Sequence, residues 1–183
     1  KSRKKIVDEA KRILEEIGVF VENDEALKLL GGAGARIDRK SRQVRIPAAI
    51  VEKAVESAPS KVSLYNRHGE EVMDLGGDRV HFNPGSAALR IYDPKEKRAR
   101  TPVTADLVKF ATLIDALPGY AAQSTGLIAG DVPREIQDRY RLFIALQHSS
   151  KPVVTATFLG DAFKPMQEMV SAGSAHGRGI ATA

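Results

Sequence analysis

The sequence predicts an α/β protein in which a helical cap and a β-rich segment precede the start of a strand–helix series. Three observations carry this. Residues 1–60 hold apolar residues at helical spacing, punctuated by Gly and Pro. Residues 61–103 hold short alternating runs separated by turn residues. Residues 104–183 alternate helix-type and strand-type patterns, which is the α/β order. Two such units cannot close a barrel or bury a parallel sheet on both faces, and a complete (β/α)8 barrel takes ~250 residues. The 183 residues therefore read either as a small open sheet or as the front part of a longer barrel.

In the first segment, Ile6, Ala10, Ile13, Leu14 and Ile17 recur at helix spacing, with Glu and Lys on the opposite face. Gly18 is the expected stop. Asn23 then caps a second helix through Ala26, Leu27 and Leu30 that ends at Gly31-Gly32. Val44-Arg45-Ile46 alternates as a brief strand. Pro47 suits the first turn of a third helix through Ile50, Val51, Ala54 and Val55, closed before Pro59.

In the middle, Val62 to Tyr65 and Val72 to Leu75 form a predicted hairpin across Asn66-Arg67-His68-Gly69. Val80 to Phe82 and Ala88 to Tyr92 are the next expected strands, separated by Asn83-Pro84-Gly85-Ser86. Pro fixes one φ and Gly accepts a positive φ, so this tetrapeptide must turn. Asp93-Pro94-Lys95-Glu96 turns again before a short basic strand to Arg100.

From Thr104 the rhythm changes. Thr104 caps a helix carrying Leu107, Val108, Ala111, Leu113 and Ile114 and ending at Pro118-Gly119. Tyr120 to Ala129 reads as a buried strand, with Gly130-Asp131-Val132-Pro133 as its exit. The helix after it turns Ile136, Tyr140, Phe143, Ile144 and Leu146 inward. A strand from Val153 to Phe158 and a helix from Phe163 follow. The chain does not begin with Met, and Ser171 to Ala183 is rich in Gly, Ala and Ser, so a truncated chain is expected.

Composition excludes several classes. There is no cysteine, hence no disulfide scaffold, zinc–thiolate site or cysteine nucleophile, which suits a reducing cytoplasm. The net charge of +5 is spread out: Lys1, Arg3, Lys4 and Lys5 at one end, Lys95, Lys97, Arg98 and Arg100 around a turn. Neither group interleaves aromatics, so no nucleic-acid partner is expected. No apolar run approaches the ~20 residues of a membrane span, so no membrane partner is expected either. His68, His81, His148 and His176 show no ligand spacing, so no metal is expected. Gly31-Gly32-Ala33-Gly34 lacks the Lys-Ser/Thr of a phosphate loop and follows a helix.

An ordered series of motifs then points to a family. It comprises Ile13-Leu14-Glu15-Glu16-Ile17-Gly18-Val19, Val21-Glu22-Asn23, Val44-Arg45-Ile46-Pro47, Ala58-Pro59, Asn83-Pro84-Gly85, Asp115-Ala116-Leu117-Pro118, Gly130-Asp131-Val132-Pro133 and Lys151-Pro152-Val153. From Lys4 to about Met169 this series resembles the trimethylamine methyltransferase family. The resemblance implies a TIM barrel with N-terminal additions. It also implies transfer of a methyl group from a tertiary or quaternary amine, such as trimethylamine or a betaine, to a corrinoid (cobalamin) carried by a cognate corrinoid protein. Some members carry pyrrolysine late in the barrel. A homo-oligomer located in the cytoplasm is expected.

Barrel active sites lie at the C-terminal ends of strands, here near Ile128 to Asp131 and Thr157 to Gly160. Asp131 either offsets the charge of a bound quaternary ammonium or caps the helix that follows, with Pro133 in its first turn. Alternation sends Gln123 and Thr125 to one face of their strand and Ser124 to the other, each as hydrogen-bonded core or site wall. Phe82 and Tyr92 either offer an aromatic face to a methylated cation, worth ~0.5–2 kcal/mol, or belong to the core. Asn83, Gly85 and Ser86 either shape a binding mouth or simply turn the chain. No catalytic residue is assigned. The alternatives to a methyltransferase are a non-catalytic binding or assembly module of the same fold and an unrelated TIM-barrel lyase. For the lyase, Lys151 is poorly placed because it starts a strand.

Overall fold

The computed structural model describes residues 2–85 and 87–173. Ser86, His176 and most of the Gly/Ala/Ser-rich terminal stretch lie outside the described residues. The chain divides into two compact units, one up to Pro59 and one from Ser60.

The first unit opens with α1 (Ser2–Glu16) and the short strand β1 (Val19–Phe20). Gly18 lies between them with φ +83° and donates its N–H back to Ile13 O at 2.8 Å, which ends the helix as expected. Next comes α2 (Asp24–Gly32), whose first turn is capped by the Asn23 carboxamide accepting from Ala26 N at 2.9 Å. Strands β2 (Arg36–Asp38) and β3 (Gln43–Arg45) and helix α3 (Ala48–Ser57) complete the unit. β3 is the centre of a three-stranded antiparallel sheet ordered β1-β3-β2. Periodicity exposed only its middle strand, because strands of two or three residues are too short to alternate visibly. Pro47 stands at the N-cap position of α3, one residue outside the first turn expected for it, and its side chain makes no cap bond. The apolar stripe at helix spacing is largely uncovered: Ile6, Ala10, Ile13 and Ile17 are exposed, and only Leu14 is half-buried. The stripe dictates an amphipathic helix, but a small unit supplies little surface to cover it.

The second unit begins with the antiparallel hairpin β4 (Lys61–Tyr65) and β5 (Glu71–Gly76), in the predicted register region. The second expected pair of strands is different in fact. Val80 to Phe82 is not a ladder strand, and Ala88 makes a single bridge. The regular hairpin is instead β6 (Ile91–Asp93) with β7 (Arg98–Arg100), closed by Asp93 Oδ1 accepting from Lys95 N at 3.0 Å. The Asn-Pro-Gly turn consumes the backbone that a longer strand would need.

Helix α4 (Thr104–Ala116) then starts one residue earlier than a Thr104 cap would place it, with Val103 at the cap position. Its exposed N–H groups are met by carboxylates: Asp106 Oδ2 accepts from Val103 N at 2.9 Å. Strand β8 (Gln123–Ser124), helix α5 (Gln137–His148), strand β9 (Val153–Val154) and helix α6 (Phe163–Gly173) follow. β8 and β9 are parallel, as the α/β order requires, but each ladder is only two residues long. A third parallel element lies on the other edge of β8. Ala121 N donates to Phe82 O, Ala88 N to Gly126 O and Ile128 N to Ala88 O, so Phe82 and Ala88 lie beside 121–128 in the same chain direction. The parallel layer thus has three members where periodicity gave two.

The helices pack against this layer around two apolar clusters. Leu107, Leu127, Ala129 and Ile144 form one, and Leu142, Ala162, Met166 and Val170 form the other. Gly126 has no side chain because a Cβ there would strike the Phe110 ring of α4. On α5 the prediction for Ile136 and Phe143 is corrected: both are exposed, and the buried face carries Asp138, Arg141, Leu142, Ile144 and Ala145.

Gly18→Ala tests the local argument. It imposes a positive φ on a side chain and drives a Cβ into the Val44 carbonyl. A loss of roughly 1–3 kcal/mol is expected from the backbone alone, read as a lower urea midpoint.

Candidate functional site

In a parallel layer the strand C-termini gather at one end, and here that end is organised from below by α5. Asp138 and Arg141 stand one turn apart on its inner face, 3% and 2% exposed. Arg141 Nη2 donates to Asp138 Oδ1 at 2.8 Å. The guanidinium also donates to Thr125 O at 3.1 Å and to Ala156 O at 3.2 Å, joining the segments that leave β8 and β9. The other Asp138 oxygen accepts from Phe158 N at 2.6 Å, Thr157 Oγ1 at 3.0 Å and Leu159 N at 3.1 Å. The Phe158 ring lies on the guanidinium, 4.9 Å from Cζ to centroid. Thr125 Oγ1 and Thr155 Oγ1 are 2.8 Å apart across the same two segments.

Burial works against the Asp138 carboxylate. The Phe158 N–H, the Arg141 guanidinium, the Thr157 hydroxyl and the Leu159 N–H outweigh it and hold the pKa below the usual carboxylate range. A cavity about large enough for one water molecule lies between α4, β8 and α5, beside Thr125, Gly126 and Arg141. It is on the helical side of the layer and too small for an amine.

The residues singled out from sequence are distributed as follows. Asp131 is exposed at the strand-end side, and both its oxygens accept from Thr104 N, at 2.9 and 3.1 Å. It therefore caps α4, which precedes it in the chain, and not the helix that follows. Gln123 is fully buried, its amide spent on Ala111 O at 2.9 Å and on Ser124 N at 3.0 Å. Thr125 is buried within the hydroxyl pair and the Arg141 bond. Ser124 Oγ donates to Gly85 O. Phe82 lies level with Ala121, at the N-terminal end of the layer, and Tyr92 sits on the β6 hairpin; each is 65% exposed, so neither is core. Asn83 Oδ1 accepts from Gly85 N at 2.9 Å within its own turn. The structure does not gather Phe82, Asn83 and Gly85 with Asp131, because the parallel register carries only Ala88 to the level of Leu127. Lys151 Nζ donates to Ile114 O and Leu117 O at 2.7 and 2.6 Å, closing the C-terminus of α4, so the ammonium a lyase would need is already engaged. Among the described residues no three His, Asp or Glu side chains converge as a metal-binding group.

Sequence reasoning missed Asp138 and Arg141, and marked Phe158 only as part of the strand end Thr157 to Gly160. The available signal was two opposite charges at i and i+3 on the same helical stripe as Leu142 and Ala145, where a solvated pair would not lie.

An α/β layer with helical crossovers and its polar network at the strand ends defines the class. The chain belongs to the trimethylamine methyltransferase (MTTB) family, whose model matches residues 1–178, as the motif series indicated. It is 30% identical over 160 residues to Trimethylamine methyltransferase MttB of Desulfitobacterium hafniense, covering 87% of this chain and 32% of that protein. It is 30% identical over 159 residues to Glycine betaine methyltransferase from another strain of that species, covering 86% and 32%. It is 29% identical over 147 residues to L-carnitine:corrinoid methyltransferase of Eubacterium limosum, covering 78% and 29%. The chain spans about a third of the length of these curated relatives.

Asp138→Asn leaves Arg141 buried without its counter-charge, and a loss of ~3–5 kcal/mol is expected by urea unfolding at neutral pH. The pH dependence has a definite sign. A carboxylate with a lowered folded pKa contributes fully above its unfolded value of about 4 and loses that contribution as pH falls through the folded pKa. The parent protein should therefore lose stability on acidification below about pH 4, and the Asn variant should lose less over the same interval.

Proposed function

We propose that this chain is part of a corrinoid-dependent amine methyltransferase and supplies the first strands of a (β/α)8 barrel. The observation that carries the reading is family membership along nearly the whole chain, with relatives named for trimethylamine, glycine betaine and carnitine. The three parallel segments joined through α4 and α5 support the barrel, since helical crossovers between parallel strands repeat to close one.

The substrate is a tertiary or quaternary methylated amine, and the methyl acceptor is a corrinoid held by a separate cognate protein. The corrinoid supplies the nucleophile that takes the methyl group. The C–N bond breaks, its electron pair stays on nitrogen, and the demethylated amine leaves. This chain's residues bind and orient. Asp138 and Arg141 fix the strand ends, and the exposed carboxylate of Asp131 places negative charge on the side where an ammonium enters. Cation attraction to a partly exposed carboxylate is weak in water and grows as a site closes around it. No helix among the described residues is long and apolar enough to cross a membrane, and a cytoplasmic setting fits one-carbon metabolism, methanogenesis included. A homo-oligomer is part of the same proposal.

The test is to incubate the intact protein, as expressed, with free reduced corrinoid and a panel of trimethylamine, glycine betaine and carnitine. Alkylated corrinoid should accumulate with at least one of them, visible in its absorption spectrum. No transfer from any of the three, with a folded protein, would favour the non-catalytic module.

A further inference from the structure

We infer that the outward face of Phe158 is the surface that meets the methylated ammonium, set in place by the Asp138–Arg141 pair beneath it. This rests on the methyltransferase reading and names a residue for it. Phe158 lies four residues beyond the end of β9, at the end of the layer where barrel sites form. Its backbone is pinned, because its N–H donates to the buried Asp138 carboxylate at 2.6 Å. Its ring is pinned as well, lying on the Arg141 guanidinium at 4.9 Å. Yet the residue remains 61% exposed. A large aromatic fixed at two points and left open to solvent is pre-organised for contact, with little rotamer entropy left to lose on binding.

The charge balance permits a second cation on the open side. The guanidinium is compensated by Asp138 at 2.8 Å, so the ring does not shield an unpaired charge. The negative face of the ring then remains available to a quaternary ammonium, the ligand class that aromatic faces recognise best. Phe82 and Tyr92 are equally exposed but lack this support. Phe82 is at the opposite end of the layer, and Tyr92 is on an edge hairpin.

The ring could instead serve only to cover the ion pair. Leucine covers it nearly as well but has no π face, so Phe158→Leu separates the two roles, with Phe158→Trp as the rescuing variant. The intact protein would be titrated with choline and with its neutral carbon isostere, in which a tert-butyl group replaces the trimethylammonium. The wild-type protein should prefer choline. Phe158→Leu should weaken choline binding roughly tenfold and leave the isostere nearly unchanged, and Phe158→Trp should restore the preference. An unchanged urea midpoint in Phe158→Leu would show that the fold is intact. If the wild type prefers choline and Phe158→Leu keeps that preference, the role of Phe158 is overturned while the methyltransferase reading stands. If the wild type shows no preference for the cation, the role of Phe158 is likewise overturned, and the methyltransferase reading is decided separately by the corrinoid assay.

Discussion

A carboxylate and a guanidinium taken out of water each lose several kcal/mol of hydration. The Asp138–Arg141 pair recovers that loss through geometry. One carboxylate oxygen takes the guanidinium, and the other takes two backbone N–H groups and a hydroxyl. The guanidinium fork reaches carbonyls on two different segments. Apolar residues of similar size could fill the volume, but they could not accept or donate at five places at once. The apolar clusters lie to either side: Ile144 packs toward α4, and Leu142 packs toward α6. The helix that separates two cores thus also ties the strand ends over them.

The need for such a tie follows from how short the ladders are. β8 and β9 exchange parallel hydrogen bonds over two residues each. Beyond that the backbone turns to other partners. Gly130 N donates to Pro102 O, and Ile128 N donates to Ala88 O. Buried carbonyls left by an ended ladder must be met by something, and in this unit side chains from the covering helices meet them. Gln137 toward Ala129 O and Arg141 toward Thr125 O are two instances of the same solution. The result is a layer whose strand ends are held by helices, with short, side-chain-supported exits in place of long regular strands.

Legibility from sequence followed the range of the interactions. The Asn23 cap, the Gly18 stop, the β4–β5 hairpin and the Asp93 turn each depend on residues a few positions apart, and each was readable. The buried stretch before Gly130 was readable from its small apolar residues, but its division into a two-residue ladder and an irregular end was not. The family was legible because many weak local motifs keep their order along the chain. The candidate site was legible only by end. The stretches near Asp131 and Phe158 were marked, but the carboxylate was paired with the wrong helix, and the aromatic was sought in Phe82 and Tyr92.

Sequence alone determined the mixed α/β character, the helix boundaries and the family, since propensity, capping and motif order act over short spans. Tertiary structure alone decided which charged residues go inside, which aromatic faces outward and which edge Phe82 and Ala88 pair with. Those outcomes depend on partners distant in the chain. Asp138 is acceptable in the interior only because Phe158 and Leu159 return to it, 20 and 21 residues later. Asp131 caps the helix beginning 27 residues before it because the parallel layer brings the two ends together. Local pattern cannot encode such a return, because it is the folded layer that sets the distance.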